Sequence, residues 1–313
     1  MSKHPPFRSG FVSIVGRPNA GKSTLLNALV GDKLAIVSER PQTTRTTVQG
    51  VITLPHAQIV FIDTPGVHQT PALINKRMLE TVKAALRDRD VVLLVADALE
   101  TFNDDDQQAL EMVRHLTAPV FLVLNKIDGM DHKQELLPRL QHYQSLFEFA
   151  EYYPVSALTG EGLIPLRDAI VARLPEGPPY YPSDYITDQP ERFLAAELIR
   201  EKILVETRQE VPHSVAVVVD TWEDTKKLVR IAATIYVERA GQKGIVIGAK
   251  GAMLKNVGTL ARVEIEKLTG KKVFLELFVK VRADWRESPQ FLDAIDWRSM
   301  YGTKLEADPE KTS

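Results

Sequence analysis

The sequence predicts an α/β domain with a doubly wound, mostly parallel sheet, followed by a smaller α+β domain. Residues 11–174 alternate short apolar runs with amphipathic helical patterns, which is the order that builds a parallel sheet covered by helices. Four prolines and one glycine within residues 175–182 then interrupt this order, because proline fits neither a helix interior nor a central strand. We therefore expect a first domain over residues 1–174, a linker over residues 175–190 and a second domain over residues 191–313.

The composition is typical of a globular protein and excludes several kinds of site. Of the 313 residues, 44% are hydrophobic and 26% are charged. There is no cysteine, so the chain has no disulfide and no thiolate metal site. No apolar run approaches the roughly eighteen residues of a membrane span, and the first residues carry no signal-peptide core. We therefore expect a cytoplasmic protein.

The first strand-and-helix unit carries a phosphate-binding motif. Between an apolar run and a helical pattern lies Gly16–Ser23, which fits the pattern G-x-x-x-x-G-K-[ST]. Backbone N–H groups of such a loop point at phosphate oxygens, and the helix N-terminus adds partial positive charge there. We expect Lys22 to reach the β- and γ-phosphates of a nucleotide and the Ser23 hydroxyl to bind Mg²⁺. The residues of this loop expected to contact a nucleotide are Gly16, Asn19, Ala20, Gly21, Lys22, Ser23 and Thr24.

A second motif, Asp63-Thr-Pro-Gly66, follows the apolar run at residues 59–62. It places a carboxylate at the end of a strand, where phosphate-loop proteins hold Mg²⁺, usually through water. The N–H of Gly66 can bond the γ-phosphate and respond to its loss on hydrolysis. This motif therefore predicts a site that distinguishes a nucleoside triphosphate from its hydrolysis product.

A third motif selects the base. Asn125, Lys126 and Asp128 follow another apolar run with the spacing N-K-x-D. A carboxylate only accepts hydrogen bonds, so Asp128 prefers guanine, which offers two donors, over adenine, which presents an acceptor at N1. Lys126 is expected to lie along the base or against the phosphate loop. The motif therefore predicts a guanine nucleotide, GTP or GDP.

A fourth segment, Ser156-Ala157-Leu158, follows a further strand-like run, and its backbone N–H can reach the guanine O6. Most of these motifs are weak alone. All four, however, occur in order at strand ends, and ligands of open α/β sheets bind beyond the carboxyl ends of the strands. Together they predict one nucleotide site.

The loop between the first two motifs can complete the Mg²⁺ shell. Residues 40–47 are polar, contain a proline and include four threonines. We favour Thr44 as the ligand that joins Ser23 and Asp63 when the γ-phosphate is present, with Thr43 as the alternative. A stretch of this kind is equally often a threonine-rich surface loop that does not bind a metal.

The residue after Gly66 is Val67, where many small GTPases have a glutamine that orients the attacking water. Valine neither donates nor accepts a hydrogen bond, so we expect slow intrinsic hydrolysis. Asn19 is a candidate ligand for a monovalent cation such as K⁺. The residues expected to act in hydrolysis are therefore Lys22, Thr44, Gly66 and Asn19.

The second half of the chain predicts a compact α+β module with the order α-β-β-α-α-β-α. The expected helices and strands are a helix at Glu191–Glu206, strands at 214–220, 228–238 and 272–281, a helix from Ala252 to about Leu268 and a last helix at 289–300. Net charge is −2 for the chain, but residues 226–286 contain 14 Lys or Arg and 5 Asp or Glu, so they carry +9. Such asymmetry indicates a polyanionic partner.

Gly248-Ala249-Lys250-Gly251 lies between two of these helices. Glycines at both ends of this turn leave room for a sugar-phosphate chain, and the following helix N-terminus attracts phosphate. The residues expected to bind RNA are Lys243, Gly248, Ala249, Lys250, Gly251 and Lys255.

The whole set of motifs resembles the Era family of bacterial GTPases. The turn in its setting is similar to that of a K-homology (KH) domain of the bacterial, type II arrangement. The resemblance also includes Gln42-Thr-Thr-Arg45, Tyr185-Ile-Thr-Asp188 and Val279-Lys-Val281 followed by Trp285. It implies binding to the 3′ end of small-subunit (16S) ribosomal RNA, a role in assembly of the small ribosomal subunit and partial, peripheral contact with the inner membrane. We expect a monomer.

Three other interpretations fit parts of the sequence. The first is a GTP-dependent signalling or trafficking switch whose second domain binds protein. The second is an RNA-binding scaffold that binds GTP without useful hydrolysis, which Val67 would permit. The third is a second domain that only dimerises. Residues 301–313 are polar, and no function is assigned to them.

Overall fold

The computed structural model describes residues 6–38, 40, 42–66, 72–207, 211 and 214–300. This part of the chain falls into two compact units, whose main boundary lies between Asp188 and Gln189. The beginning of the chain, Val67 and the residues after Met300 lie outside the described residues, so the expectations made for them stay predictions.

The first unit is built on a six-stranded sheet in the order β2-β3-β1-β4-β5-β6. Its strands are β1 (Arg8–Val15), β2 (Val48–Leu54), β3 (Ala57–Asp63), β4 (Val91–Asp97), β5 (Val120–Asn125) and β6 (Glu151–Pro154). All neighbouring pairs are parallel except β2 with β3, which are joined by a short turn. The predicted mostly parallel sheet is therefore confirmed, and β2, which the apolar pattern alone does not reveal, is its antiparallel edge.

Helices cover both faces of this sheet. They are α1 (Lys22–Val30), α2 (Leu73–Ala85), α3 (Asp104–Val113), α4 (Leu136–Leu146) and α5 (Leu163–Arg173). Leu93 of β4 packs in the cluster that contains α1 and α5, whereas its neighbour Leu94 packs in the cluster with α2, α3 and α4. Successive side chains of a strand point to opposite faces, so an uninterrupted apolar strand needs a helical layer on each side. The doubly wound prediction is confirmed.

The proline-rich segment after α5 packs on the first unit. The side chain of Gln58 accepts hydrogen bonds from the backbone N–H groups of Tyr180 and Tyr181, at 2.7 and 2.9 Å, and donates to the carbonyl of Tyr181. The rings of Tyr181 and Tyr185 are stacked 4.5 Å apart, and the carbonyl of Ile186 accepts a bond from β2. These contacts fix the segment against the first unit, whereas the proposed domain boundaries stay predictions.

The second unit has a three-stranded sheet in the order β7-β8-β9, with β7 antiparallel and β9 parallel to β8. Its elements are α6 (Glu191–Glu206), β7 (Ala216–Asp224), β8 (Leu228–Val237), α7 (Ala240–Ile247), α8 (Ala252–Thr269), β9 (Lys272–Val281), α9 (Pro289–Ile295) and α10 (Trp297–Met300). The predicted order is confirmed with two corrections. Strand β7 runs beyond Asp220 through an irregularity between Val219 and Thr221, and the last helix is interrupted at Asp296, whose backbone is extended.

Candidate functional site: a phosphate-loop pocket and a glycine turn

The four sequence motifs of the first unit meet at one edge of its sheet. The loops that begin at Gly16, Thr64, Lys126 and Val155 follow the carboxyl ends of parallel strands β1, β3, β5 and β6. Parallel strands end on the same side of a sheet, so segments distant in the chain become neighbours there. The structure therefore brings the loops that carry the predicted residues to one edge of the sheet.

The glycines of the phosphate loop are required by packing inside the protein. A Cβ atom at Gly16 would lie 2.2 Å from the carbonyl oxygen of Val95, and one at Gly21 would lie 2.2 Å from Asn125 Nδ2. Gly21 also has a φ of 91°, a left-handed conformation that glycine adopts without strain and that starts α1 at Lys22. These two glycines therefore let the loop pack closely against β4 and β5.

Lys22 occupies the centre of this loop. Its Nζ donates hydrogen bonds to the carbonyls of Gly16, at 3.1 Å, and Arg17, at 2.7 Å. Burial lowers the pKa of Lys22 to about 8, and the negative charge of Asp63 partly opposes this shift. Because this pKa lies above neutrality, the ammonium is mostly charged at pH 7 and can bind an anion.

Of the three predicted metal ligands, Ser23 contacts both Thr44 and Asp63. The Ser23 Oγ lies 2.7 Å from Thr44 Oγ1 and donates to Asp63 Oδ2 at 2.6 Å. Thr43 is oriented elsewhere, since its hydroxyl lies 2.7 Å from Ser38 Oγ and donates to the carbonyl of Arg40 at 2.5 Å. The structure therefore brings Thr44, and not the alternative Thr43, to Ser23 and Asp63.

The donor set around Ser23 fits a hard cation. The second oxygen of Asp63, Oδ1, is buried without a hydrogen-bond partner, and burial raises the pKa of Asp63 to about 6 despite the nearby charge of Lys22. A buried carboxylate without full pairing is costly, and a divalent cation would remove that cost. The described residues contain no group of three or more His, Cys, Asp or Glu that could hold a metal. One carboxylate with two hydroxyls instead suits Mg²⁺, which takes few protein ligands and completes its shell with phosphates and water.

Gly66 lies directly against the phosphate loop. A Cβ atom at this position would lie 2.7 Å from Pro18 Cα and 2.9 Å from its backbone nitrogen. Only glycine therefore allows this backbone so close to the loop that holds Lys22.

Asn125 connects the phosphate loop to the last motif. Its Nδ2 donates to the carbonyl of Ala20 at 3.0 Å, and its Oδ1 accepts from the N–H of Ala157 at 2.9 Å. The N–H of Ser156 donates to the carbonyl of Glu161. Both N–H groups are therefore bonded inside the protein in this structure, and the contact of this segment with guanine O6 stays a prediction. Leu158, the third residue of the predicted segment, is exposed.

Asp97, at the end of β4, is a site residue that the motifs do not include. Its Oδ2 accepts a 2.7 Å hydrogen bond from Lys126 Nζ and lies 3.5 Å from an Arg17 guanidinium nitrogen. Arg17 also lies 3.3 Å from Asp106 of α3. Lys126 is thus held by β4, while Asp128 of the same motif is exposed. A carboxylate at the end of an apolar strand, as at Asp63, is the sequence signal that could have identified Asp97.

The second unit presents the glycine turn between α7 and α8. Gly248, Lys250 and Gly251 all have positive φ, at 70°, 51° and 81°. A Cβ atom at Gly248 would lie 2.6 Å from Met253 Cβ, whereas one at Gly251 would meet nothing within 4 Å. Gly248 is therefore required by its contact with α8, whereas Gly251 borders open space, and binding of a sugar-phosphate chain at this turn stays a prediction. Of the other predicted residues, Ala249, Lys250 and Lys255 are exposed and Lys243 is half-buried on α7.

These observations define a phosphate-loop GTPase unit followed by a KH-type unit. None of the helices in the described part of the chain has the length and apolar character needed to cross a lipid bilayer. The model of a family described as 50S ribosome-binding GTPase matches residues 11–126, and the model of the KH domain matches residues 210–286.

Complete relatives match both units together. The GTPase Era of Geobacter metallireducens is 52% identical over 93% of this chain and 98% of its own length. The crystal structure of a single-residue variant of Aquifex aeolicus Era bound to GDP and AlF4⁻ superposes with a TM-score of 0.89 at 40% identity, covering 92% of this chain and 99% of that one. A crystal structure of Era with MgGDPNP and nucleotides 1506–1542 of 16S ribosomal RNA gives a TM-score of 0.90 at 41% identity, covering 92% and 98%. The chain belongs to the Era family of GTPases.

Proposed function

We propose that this protein is a GTP-hydrolysing switch that binds the 3′ end of 16S ribosomal RNA and acts in assembly of the small ribosomal subunit. The observation that carries the proposal is the presence, in one chain, of the Ser23–Thr44–Asp63 contact beside Lys22 and of an open Gly251 turn in a KH-type unit. Era bound to MgGDPNP and to 16S ribosomal RNA shares this two-unit architecture. GTP, Mg²⁺ and RNA are accordingly the ligands proposed for this chain.

Each residue of the pocket has a role in this proposal. Lys22 binds the β- and γ-phosphates, Asp128 accepts the guanine donors, and Ser23, Thr44 and Asp63 hold Mg²⁺. The metal supplies charge neutralisation between the β- and γ-phosphates. Thr44 and the N–H of Gly66 respond to the γ-phosphate, so their loops are ordered before hydrolysis and released after it.

The attacking water is positioned without a glutamine. Val67 supplies no hydrogen bond, so backbone groups, an ion or a partner must orient the water, and we propose a slow intrinsic rate. Asn19, whose φ is 61°, is the proposed ligand for K⁺ at the phosphate loop. Equal GTPase rates in matched Na⁺ and K⁺ buffers would remove the K⁺ part of this proposal.

Nucleotide state is proposed to change RNA affinity. If RNA binds the GTP-bound protein more tightly than the GDP-bound protein, linkage requires RNA to strengthen GTP binding by the same factor. We propose that the loops at Thr44 and Gly66 provide this coupling because they differ between the two nucleotide states. Identical RNA affinities with a GTP analogue and with GDP would contradict the coupling.

The proposal is tested with single-stranded RNA that copies the 3′ end of 16S ribosomal RNA and with a scrambled control. Binding is measured by anisotropy in the presence of Mg²⁺ with a GTP analogue or GDP. We expect tighter binding to the true sequence, strongest with the GTP analogue. Equal binding of both RNAs would leave only a basic surface on a GTPase and favour a signalling or trafficking switch. No phosphate release with or without RNA would favour a scaffold.

Three further expectations belong to the proposal. We propose a cytoplasmic location, peripheral contact with the inner membrane and a monomeric state. Light scattering of the purified chain tests the monomer, since a KH-type unit that only dimerises would give twice the mass of 35.0 kDa. Membrane fractionation of cells tests the other two.

A further inference from the structure

The first unit carries a further cavity at the edge of its sheet opposite the nucleotide pocket. It encloses about 460 Å³ between the ends of α2 and α3 and is lined by residues 83, 86–89, 112 and 115–118. Segments 86–89 and 115–118 lead into the amino ends of β4 and β5, whereas the nucleotide pocket lies beyond the carboxyl ends of the parallel strands. We call this cavity the amino-edge pocket. Neither the nucleotide nor the proposed RNA binding explains its lining.

The floor of the amino-edge pocket is aliphatic. Leu86 is buried in the core cluster that it shares with β4 and β5, while Met112, Leu116 and Ala118 are half-buried and pack against the same cluster. Ligand pockets in proteins typically have volumes of about 300–1,000 Å³ and an apolar lining with a few charged groups that fix the orientation of the ligand. The volume and the floor therefore fit aliphatic side chains of a ligand.

The rim of the pocket is positively charged. Among the described lining residues, Lys83, Arg87 and Arg89 are cationic and Asp88 is anionic, which leaves an excess of two formal positive charges. By contrast, the chain outside residues 226–286 carries a net charge of −11. Positive charge concentrated at a cleft in an acidic part of the chain attracts anions, so the rim suits a negatively charged ligand.

Stabilisation of the end of α2 does not explain these charges. Basic side chains near a helix C-terminus often bond its last carbonyls. In α2, however, the carbonyls of residues 82–85 already accept hydrogen bonds from the segment that follows the helix or from Ser13.

Of the three cationic side chains, only that of Arg89 takes part in these bonds. Its Nε donates to the carbonyl of Ala85 at 2.6 Å, which fixes the guanidinium at the rim. Lys83 and Arg87 are exposed, and no described residue forms an ion pair with either side chain. Their charges are therefore available to a ligand.

We propose that the amino-edge pocket binds an acidic peptide segment of a partner protein, with aliphatic side chains on the floor and carboxylates at Lys83, Arg87 and Arg89. Guanidinium groups match carboxylates in geometry and can bind them through two parallel hydrogen bonds. A sugar-phosphate chain offers no aliphatic side chain for the floor, and a flat bilayer surface does not enter a cavity. The proposal is independent of RNA binding and of GTP hydrolysis.

The test uses the full chain with ¹³C-methyl methionine and the probe peptide acetyl-Asp-Glu-Leu-Leu-Asp-Glu-amide. In an NMR titration, the methyl resonance of Met112 on the floor should shift, whereas that of Met253 on α8 in the second unit should not. Two control peptides should bind at least about tenfold more weakly. One replaces both leucines by serine, and the other replaces the acidic residues by asparagine and glutamine.

Three paired variants separate charge from fold. Lys83→Gln with Arg87→Gln should weaken binding of the probe by about tenfold, since each exposed charge pair changes an affinity by up to about fivefold. Lys83→Arg with Arg87→Lys keeps the charge and should retain most of the affinity. Lys76→Gln with Arg114→Gln removes exposed charges of α2 and the end of α3 outside the pocket and should bind like wild type. GTP hydrolysis and thermal unfolding should be unchanged in all three.

Four results would overturn the inference. The first is no shift of Met112 with the probe, and the second is wild-type affinity of Lys83→Gln with Arg87→Gln. The third is equal binding of the serine-containing peptide, which would mean a basic patch without a use for the floor. The fourth is a response of Met112 to phosphatidylglycerol vesicles or to single-stranded RNA in place of the probe, which would mean another class of partner.

Discussion

Replacing Asp97 with asparagine removes one negative charge that lies between two positive side chains. Asp97 Oδ2 is 2.7 Å from Lys126 Nζ and 3.5 Å from an Arg17 nitrogen, while Oδ1 accepts from the N–H of Leu99. Asparagine has nearly the same shape and keeps the bond to Leu99. The substitution therefore tests the charge, with little change in packing.

The expected loss in the free energy of unfolding depends on how exposed the side chains around Asp97 are. The side chain of Asp97 is 4% exposed, that of Arg17 13% and that of Lys126 36%. A hydrogen bond to a charged group contributes about 1.5–3 kcal/mol, and the partial exposure of Lys126 puts its share at the lower end. The longer contact to Arg17 adds about 0.5–1 kcal/mol, because that pair is more buried but less well aligned. Asp97→Asn should therefore lower the free energy of unfolding by about 2–3 kcal/mol.

The assay is urea unfolding of the full chain without nucleotide at pH 7. The transition of the first unit is the one that GDP with Mg²⁺ shifts to higher urea. Asp97→Asn should shift this transition to lower urea, and in a Lys126→Ala background its effect should shrink to the Arg17 share. Asp168→Asn, which removes an exposed charge beside Arg167, should change the free energy of unfolding by less than about 0.5 kcal/mol.

Unfolding of Asp97→Asn within about 0.5 kcal/mol of the wild-type protein would show that the charge of Asp97 does not stabilise the first unit. Simple addition of the effects of Asp97→Asn and Lys126→Ala would contradict the stabilising contact between these two side chains. Additivity would mean that the two side chains do not stabilise one another, whatever the distance between their charged atoms.

Three other predictions concern the nucleotide pocket. Burial raises the pKa of Asp63 to about 6 in the nucleotide-free protein, so the carboxylate takes up a proton as the pH falls through this value. Affinity for Mg·GDP, measured by calorimetry, should then fall by up to about tenfold per pH unit. The variant Asp63→Asn should lack this pH dependence. Thr44→Ala should weaken binding of the Mg²⁺ complex of a GTP analogue by about tenfold or more, whereas Thr43→Ala should leave it near wild type; equal losses in fluorescence titration would contradict the assignment of Thr44. Gly66→Ala would place a Cβ atom 2.7 Å from Pro18 Cα, so phosphate release should fall by at least about tenfold while GDP affinity changes less; an unchanged rate would show that this backbone moves freely.

The sequence alone predicted the fold and the position of the nucleotide pocket. The reason is physical: phosphate, metal and base are bound by short loops whose chemistry is local in sequence. The apolar runs before Gly16, Asp63 and Asn125 place those loops at strand ends, and parallel strands then bring them to one edge. The order of elements around Gly248 predicted the KH-type unit in the same way.

Contacts between distant segments were decided only by the tertiary structure. Thr43 and Thr44 have identical chemistry, and the path of the backbone alone determines which hydroxyl meets Ser23. In the sequence, Asp97 is only the last residue of an apolar run. The parallel pairing of β4 with β5 brings it to Lys126.

The sequence alone also does not show which glycines and which backbone N–H groups are used for packing inside the protein. Gly248 and Gly251 are equivalent in a pattern, yet one is required by Met253 and the other borders open space. The N–H groups of Ser156 and Ala157 are committed to internal acceptors that lie elsewhere in the chain. A motif specifies which groups a site has, whereas packing determines which of them remain available to a ligand, because each backbone or side-chain group can satisfy a partner inside the protein first.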